Sequence, residues 1–574
     1  MKSKLLSVFL MLLAITVNAQ SSKIDIEVQN KLQTQQVVDC VIIFEYQADL
    51  SSSQQVKGKT EKATYVYEQL KMVATSTHYT EAFLQEEGIA YQRFFVVNSL
   101  RAKLNVTQIN TIANFSEVSR IIQNGTFLME KPVEIVADNT RMGVTNYGIK
   151  KIKADKVWEM GITGQGVIVG AQDTGYDWEH PALMMKYNGY DGITTDHNYS
   201  WHDAIHERNP NNSNDDNPCG FDTQAPCDDD AHGTHTMGTI LGYYANGSDT
   251  NKIGIAPDAK FICARNMDRG WGLLSTYLEC FEWFIAPTDL NGNNPDPSKS
   301  PHVINNSWGC VKEEGCDTSN LNILEVAVNN CKAAGIVVVV SNGNEGPGCR
   351  TTGNPAALYL NSFSVGSSDQ NNNISGFSSR GPTRHGLSKP DVTAPGSQIM
   401  SSVPNNGYAS YSGTSMAGPH VAGLVALIIS ANPNLAGEVD SIQEIIKSTC
   451  IKKFTFEGCG GNTSTSYPNN TYGYGIIDAK AAVDKALAIL TGIPTYNIPG
   501  LLIYPNPSNG FLTIEGAGRD AHFELYYMDG KLEKSLIIQE NQQINLQGLA
   551  TGMYIYTIKN TEGQSSGKLV IEAE

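Results

Sequence analysis

Gly413-Thr414-Ser415-Met416-Ala417-Gly418-Pro419-His420-Val421-Ala422-Gly423 runs without a break into Leu424-Val425-Ala426-Leu427-Ile428-Ile429. A Gly-Thr-Ser turn leading into good helix formers places Ser415 at or near the start of a buried helix. The first N–H groups of such a helix lack intrahelical carbonyls, and the helix dipole is positive there, so negative charge is favoured. A serine oxygen that attacks a carbonyl creates an oxyanion, and this is a fitting place for it. Capping a core helix is the commoner duty of a serine at such a position. A nucleophile also needs a base and an orienting acid from elsewhere in the chain.

Both are present. Asp230-Ala231-His232-Gly233-Thr234-His235 carries a histidine followed by a glycine, which permits close backbone approach. Val167-Ile168-Val169-Gly170-Ala171-Gln172-Asp173-Thr174-Gly175 reads as a short apolar strand ending in an aspartate at a turn. The chain order is Asp173, His232, Ser415, one of the three orders in which such triads occur. All three blocks resemble those of the subtilisin-like serine proteases. An α/β-hydrolase elbow would read G-x-S-x-G, whereas Ala417 stands two residues after Ser415.

The resemblance implies roles. Ser415 is the expected nucleophile, His232 the base and later the acid, and Asp173 the residue that fixes the imidazole tautomer. His235 is assigned to packing or support. In Val340-Ser341-Asn342-Gly343-Asn344-Glu345-Gly346-Pro347, the asparagine after the glycine, Asn344, is the expected oxyanion-hole amide, although Asn342 shows how easily such a residue is only a turn former. Ile304-Asn305-Asn306-Ser307-Trp308-Gly309 resembles the strand edge that holds substrate, so Ser307, Trp308 and Gly309 are the expected substrate-binding residues; Trp308 either packs or shapes a pocket.

Composition narrows the rest. A chain of 574 residues exceeds one core, and a net charge of −17 argues against a nucleic-acid partner. Of 11 cysteines, Cys40 stands apart and the others cluster centrally. An even central set suits disulfides in an oxidising compartment, with Cys219–Cys227, Cys310–Cys316 and Cys450–Cys459 as short-loop pairs. No cysteine or histidine grouping has zinc spacing.

Residues 1–19 read as a signal peptide: Lys2 and Lys4, an apolar stretch from Leu5 to Val17, then Val17-Asn18-Ala19. No later stretch reads as a membrane span. Residues 20–128 alternate strand (37–44), helix (62–88), strand (91–100), helix (107–114) and strand (118–122), a small α+β, ferredoxin-like sandwich. With Phe94-x-x-x-Asn98-Ser99-Leu100 it resembles the propeptide of subtilisin-like proteases, an expected inhibitor in cis, with processing between about Asn124 and Asn146. Residues 140–490 form the expected catalytic domain, an α/β body with a parallel sheet flanked by helices, in which Gly335-Ile336-Val337-Val338-Val339-Val340 is a strand buried on both faces. A linker covers 491–500.

Residues 501–574 read as a small all-β sandwich, with Asp529-Gly530 as a hairpin turn. Leu502-Ile503-Tyr504-Pro505-Asn506-Pro507, Gly552-Met553-Tyr554 and Lys568-Leu569-Val570 together resemble the C-terminal sorting domain of type IX secretion. That resemblance implies passage through the periplasm to the outer-membrane surface or the medium, with the secretion machinery as partner.

The chemistry so implied needs no cofactor, its partners are protein or peptide substrates, and oligomeric state is not legible. Structural calcium is unassigned. Ala182 stands where many relatives carry a calcium-binding aspartate. Asp215, Asp216, Asp228, Asp229 and Asp230, around Cys219 and Cys227, could bind calcium but lack an EF-hand pattern and read rather as a solvated acidic loop. Extra loops run from Asn188 to Asp229. The leading reading is a secreted serine endopeptidase made as a preproprotein. Its rivals are a silent adhesin on the same fold and a processing protease of narrow specificity.

Overall fold

Val337–Ser341 is buried at every position, as a strand covered on both faces must be (β5). It lies in a seven-stranded sheet with Ile168–Asp173 (β1), Trp201–Asp203 (β2), Lys260–Arg265 (β3), Val303–Asn306 (β4), Phe363–Ser368 (β6) and Val392–Pro395 (β7). The spatial order is β7-β6-β5-β4-β1-β3-β2, and every pairing is parallel. Helices His232–Leu241 (α1), Leu274–Ile285 (α2), Thr318–Ala333 (α3) and Thr414–Ala431 (α4) accompany it. The structure is a computed structural model that describes residues 23–76, 79–129, 131–138, 143–212, 217–246, 249–307, 318–353, 355–490, 498, 501–527, 531–560 and 564–571. The signal peptide, most of the linker, Asp215, Asp216, Trp308, Gly309, the Cys310–Cys316 pair and Asp529-Gly530 lie outside the described residues.

The expected α/β body is therefore present. One expectation needs correction: α4 is long and apolar enough to cross a membrane. It is instead the core helix, 94% buried inside the protein. It packs along β4, β5, β6 and β7.

The N-terminal unit is a four-stranded antiparallel sheet of Tyr91–Phe94, Ser99–Asn105, Val37–Phe44 and Val118–Gln123, in that spatial order. Alternation divides its faces. Val38, Cys40, Ile42 and Phe44 pack with Leu84, Ile109 and Ile112, whereas Val41 and Ile122 join the core of the large body. The sequence expectation of one helix over 62–88 fails. Lys59–Ala74 ends where Thr75 and Ser76 hydroxyls cap the carbonyls of Met72 and Val73, and a second helix runs Tyr79–Glu86. The expected strand over 91–100 is likewise a hairpin. Glu282 of α2 accepts the N–H groups of Phe95 and Val96, which pulls the Phe95–Asn98 turn out of the ladder. Val96 and Val97 are buried in the large core.

The C-terminal unit holds a three-stranded and a four-stranded antiparallel sheet. Leu512, Ile514, Phe523, Leu525, Ile544, Tyr554 and Leu569 fill the space between them, as in a sandwich.

Cysteine spacing is a partial guide. Cys219–Cys227 is bonded as expected. Cys450–Cys459 is not: Cys459 pairs with Cys349, with Cα atoms 5.2 Å apart. Cys450 ends the helix Val439–Thr449, and its thiol points back to the Ile446 carbonyl at 3.2 Å. Cys263, Cys280 and Cys331 are also free and buried, so the central set is not all disulfide. Burial pushes these thiols up, which keeps them protonated and inert.

Candidate active site

Asp173 ends β1, and its Oδ1 accepts from the Thr174 N–H at 2.8 Å. His232 begins α1, with Nδ1 2.7 Å from Asp173 Oδ1. The pair can meet because of Gly233. A Cβ there would lie 2.0 Å from the Gly175 carbonyl oxygen and 3.1 Å from Asp173 Cβ. Asp228 secures the start of α1. It accepts the N–H groups of Asp230, Ala231 and Thr234 and the hydroxyls of Thr174 and Thr234.

Ser415 lies in the first turn of α4. Pro419 sits inside that helix and has no N–H to give the Ser415 carbonyl four residues back. Ser307 fills the gap: its Oγ donates to the Ser415 carbonyl at 3.1 Å and accepts from Asn305 Nδ2 at 2.9 Å. In return, the Ser415 hydroxyl donates to the Ser307 carbonyl at 3.3 Å. Ser307 follows β4, the neighbour of β1, so Ser415 and the Asp173–His232 pair sit over the ends of adjacent strands, spaced about 4.8 Å. The Ser415 hydroxyl is thus engaged with Ser307 and not hydrogen-bonded to His232, whose Nε2 is buried without a partner.

Asn344 follows β5. Its Oδ1 accepts the Thr414 N–H at 2.9 Å and the Thr414 hydroxyl at 3.0 Å, which aims Nδ2 the other way. Nδ2 is buried and unpartnered, 3.4 Å from where a Gly413 Cβ would stand. A buried donor without an acceptor costs about 1–3 kcal/mol, a cost that a preorganised oxyanion site offsets when negative charge arrives. Asn342 is different: its Nδ2 is spent on the Ser379 carbonyl at 2.8 Å and on Thr352 at 3.1 Å.

Burial works against the charged form of His232, but the Asp173 carboxylate and its hydrogen bond outweigh it, helped by Asp230 and Asp228, and hold the ring above its usual value. Two further buried histidines, His235 and His420, are held neutral instead. Burial pushes His235 down to about 3; its Nε2 reaches the Ile399 and Ala409 carbonyls, and the ring stacks on Tyr411. Burial pushes His420 down to about 4. A base must be unprotonated to accept the serine proton. Peptide hydrolysis should therefore fall as pH drops, with its inflection above 6.5, because His232 is raised. Asp230→Asn should move that inflection to lower pH; a profile of kcat/KM against pH that stayed put would show Asp230 to be irrelevant.

Of the acidic residues that the sequence reads as a solvated loop, Asp230 is exposed, whereas Asp228 and Asp229 are not free in solvent. Asp228 is spent on the α1 cap, and Asp229, 8% exposed, lies 3.5 Å from the buried Arg265 guanidinium. Ala182 packs with Val144, Ile253 and Tyr408. Ala182 thus brings no carboxylate to this place, and the Tyr408 hydroxyl there is taken by Asn251 Nδ2 at 2.8 Å.

Sequence reasoning missed two edges. Met267–Asp268 and Trp271–Leu273 form a hairpin, and Thr126–Leu128 adds to it antiparallel, Leu128 opposite Trp271 and Thr126 opposite Leu273. Met129 N–H extends this to the Gly270 carbonyl at 2.6 Å. The signal was the Arg269-Gly270 pair, both with positive φ (49° and 83°), the conformation of a type I′ turn. The second edge is Gly407–Ser412, to which Glu134–Asp138 adds antiparallel, with the Val133 N–H on the Ser412 carbonyl at 2.7 Å. The chain's own peptide thus pairs with both edges, the second of which ends three residues before Ser415.

Residues 164–475 match the Subtilase family, and residues 502–572 match the secretion system C-terminal sorting domain. The chain is 34% identical to bacillopeptidase F of Bacillus subtilis over 406 residues, 68% of this chain but only 26% of that much longer protein. It is 32% identical to subtilisin Savinase of Lederbergia lenta over 338 residues, 58% of this chain and 97% of the relative. To subtilisin E of Bacillus subtilis it is 29% identical over 440 residues, 76% and 94% of the two chains. The sorting domain implies secretion by the type IX route to the cell surface or the extracellular space. With the α/β sheet, its strand-end site and these matches in agreement, the chain belongs to the subtilase family and is a serine endopeptidase with a C-terminal sorting domain.

Proposed function

We propose that Ser415, His232, Asp173 and Asn344 hydrolyse peptide bonds through an acyl-enzyme, and that the chain is made as an inactive preproprotein. A rotation about the Ser415 Cα–Cβ bond takes the hydroxyl from the Ser307 carbonyl towards His232 Nε2. The ring accepts the proton as Oγ bonds to the substrate carbonyl carbon. Asp173 holds the imidazolium. The oxygen, now an anion, takes hydrogen bonds from Asn344 Nδ2 and the Ser415 N–H. When the C–N bond breaks, His232 returns the proton to the leaving amine. Water then enters by the same route, releases the acid and regenerates Ser415.

The observation that carries this reading is the pair of buried, unpartnered groups, His232 Nε2 and Asn344 Nδ2, at the strand ends that also hold Ser415. Asn344→Ala should lower kcat by about 10²–10³, the size found for the equivalent donor in subtilisin. Unchanged kcat would remove Asn344 from the reaction. Labelling of Ser415 by a fluorophosphonate, in secreted and matured protein, separates this reading from a silent adhesin.

Residues 20–128 are, in the same reading, a propeptide bound in cis. Its strand 126–128 occupies one groove edge, and 134–138 the other. The bonds between Met129 and Val133 are the candidates for self-cleavage, within the broader 124–146 window. Lys131–Pro132 is the poorest of them, since proline has no N–H and a fixed φ. N-terminal sequencing of mature protein that began outside 130–133 would contradict this. Residues 140–490 then form the mature catalytic domain, and 501–574 carry it through the periplasm to the outer-membrane surface, with 491–500 as linker. Ser307 serves substrate through its backbone edge, with Trp308 and Gly309 next in line.

A further inference from the structure

The insertion between Asn188 and Asp229 does more than lengthen a loop. Its segment 204–212 is fastened to the hairpin that receives the peptide. Asn209, 3% exposed, donates from its backbone N–H to Asp268 at 3.2 Å and from Nδ2 to the Gly272 carbonyl at 3.1 Å. Gly272 is the residue opposite Phe127 in the ladder. Asn209 also shapes the turn after it. Its Oδ1 accepts the Asn211 N–H at 3.0 Å and its carbonyl the Asn212 N–H at 3.0 Å. Arg208 clamps the turn, with Nε and Nη2 both on the Asn212 carbonyl, at 3.0 and 2.7 Å. The root is equally firm: Asp203 takes two bonds from the buried Arg265, at 2.9 and 3.0 Å.

This scaffold presents Asn211, whose Nδ2 donates to the Thr126 hydroxyl at 2.8 Å. Thr126 lies three residues before Met129, whose N–H bonds the Gly270 carbonyl. Main-chain ladder bonds are blind to side-chain identity, so selection at this position needs a side-chain contact such as this one.

We propose that segment 204–212 forms an added wall of the peptide groove, in which Asn211 selects substrates carrying a hydroxyl side chain, serine or threonine, at the position Thr126 occupies. This rests on the reading that protein substrates pair with Trp271–Leu273 as the chain's own strand does. A valine there has the shape of threonine but nothing to accept the Asn211 donor. One neutral hydrogen bond between the exposed Asn211 and the half-buried Thr126 separates the two by about threefold to tenfold in kcat/KM.

The test uses mature enzyme, freed of residues 20–128, and a quenched fluorogenic peptide with the sequence of residues 124–135. Versions carry threonine, serine or valine at the position of Thr126. Wild-type enzyme is expected to cleave the threonine and serine peptides about threefold to tenfold better than the valine peptide. In Asn211→Ala the threonine-to-valine ratio should collapse to about one. Equal cleavage of threonine and valine peptides by wild-type enzyme, or an undiminished ratio in Asn211→Ala, overturns the proposal. A preparation that digests unfolded protein but leaves the threonine peptide intact overturns it too. Failure of the underlying reading looks different: cleavage of peptide and protein alike would survive Ser415→Ala.

Discussion

Replacing Ser415 by alanine lowers peptide hydrolysis by about 10⁶-fold, a size taken from subtilisin, the enzyme in which such a loss was measured. The direction comes from the site itself. On the mechanism proposed above, without the hydroxyl His232 would have no proton to accept and no acyl-enzyme would form. His232→Ala should cost about as much, and the double variant little more, because the two act as one unit. The same substitution should stop maturation, so that secreted protein keeps residues 20–128 attached. Rates on an unfolded protein substrate and N-terminal sequencing of the same sample check both effects. Hydrolysis that persisted in correctly folded Ser415→Ala would end the triad assignment.

The second large effect concerns stability. Cys349–Cys459 closes a span of 110 residues, whereas Cys219–Cys227 closes 8. On the chain-entropy account, the long span contributes about 4–5 kcal/mol and the short one about 2–3 kcal/mol. Changing Cys349 and Cys459 together to serine should therefore lower the denaturant midpoint of the mature domain more than changing Cys219 and Cys227 does. The local structure agrees. The Cys459 loop is anchored by Glu457, which takes two bonds from the buried Arg380 at 2.8 Å, and Arg380 leads into the turn that holds Arg350 and Thr351. Equal midpoint losses would mean that strain or residual unfolded structure, not span, sets the contribution.

Some of the chain is readable at once. The three blocks around Asp173, His232 and Ser415 are local: each needs only its own turn, glycine and strand or helix to be recognised. The same is true of β5, whose unbroken valines admit no solvent face. The ferredoxin-like unit and the terminal sandwich are legible from alternation. Where local pattern misleads, a distant partner has outvoted it. Phe95–Asn98 leaves the strand because Glu282, nearly two hundred residues on, captures its N–H groups. Asp228 and Asp229 leave the solvent for Thr174, Thr234 and Arg265.

The sequence by itself determined which residue types stand ready for acyl transfer, the order in which they come, and the succession of N-terminal α+β unit, α/β body and β tail. Those properties are written in short-range periodicity and turn chemistry, which act over a few residues. Tertiary structure alone decided which cysteine meets Cys459, that Ser307 satisfies the carbonyl that Pro419 leaves open, and that the hairpin at Gly270 and the edge at Ser412 both hold the chain's own peptide. Each of these depends on groups far apart in sequence coming within about 3 Å in space. No local pattern encodes that distance, because it is set by how the whole sheet and its helices pack.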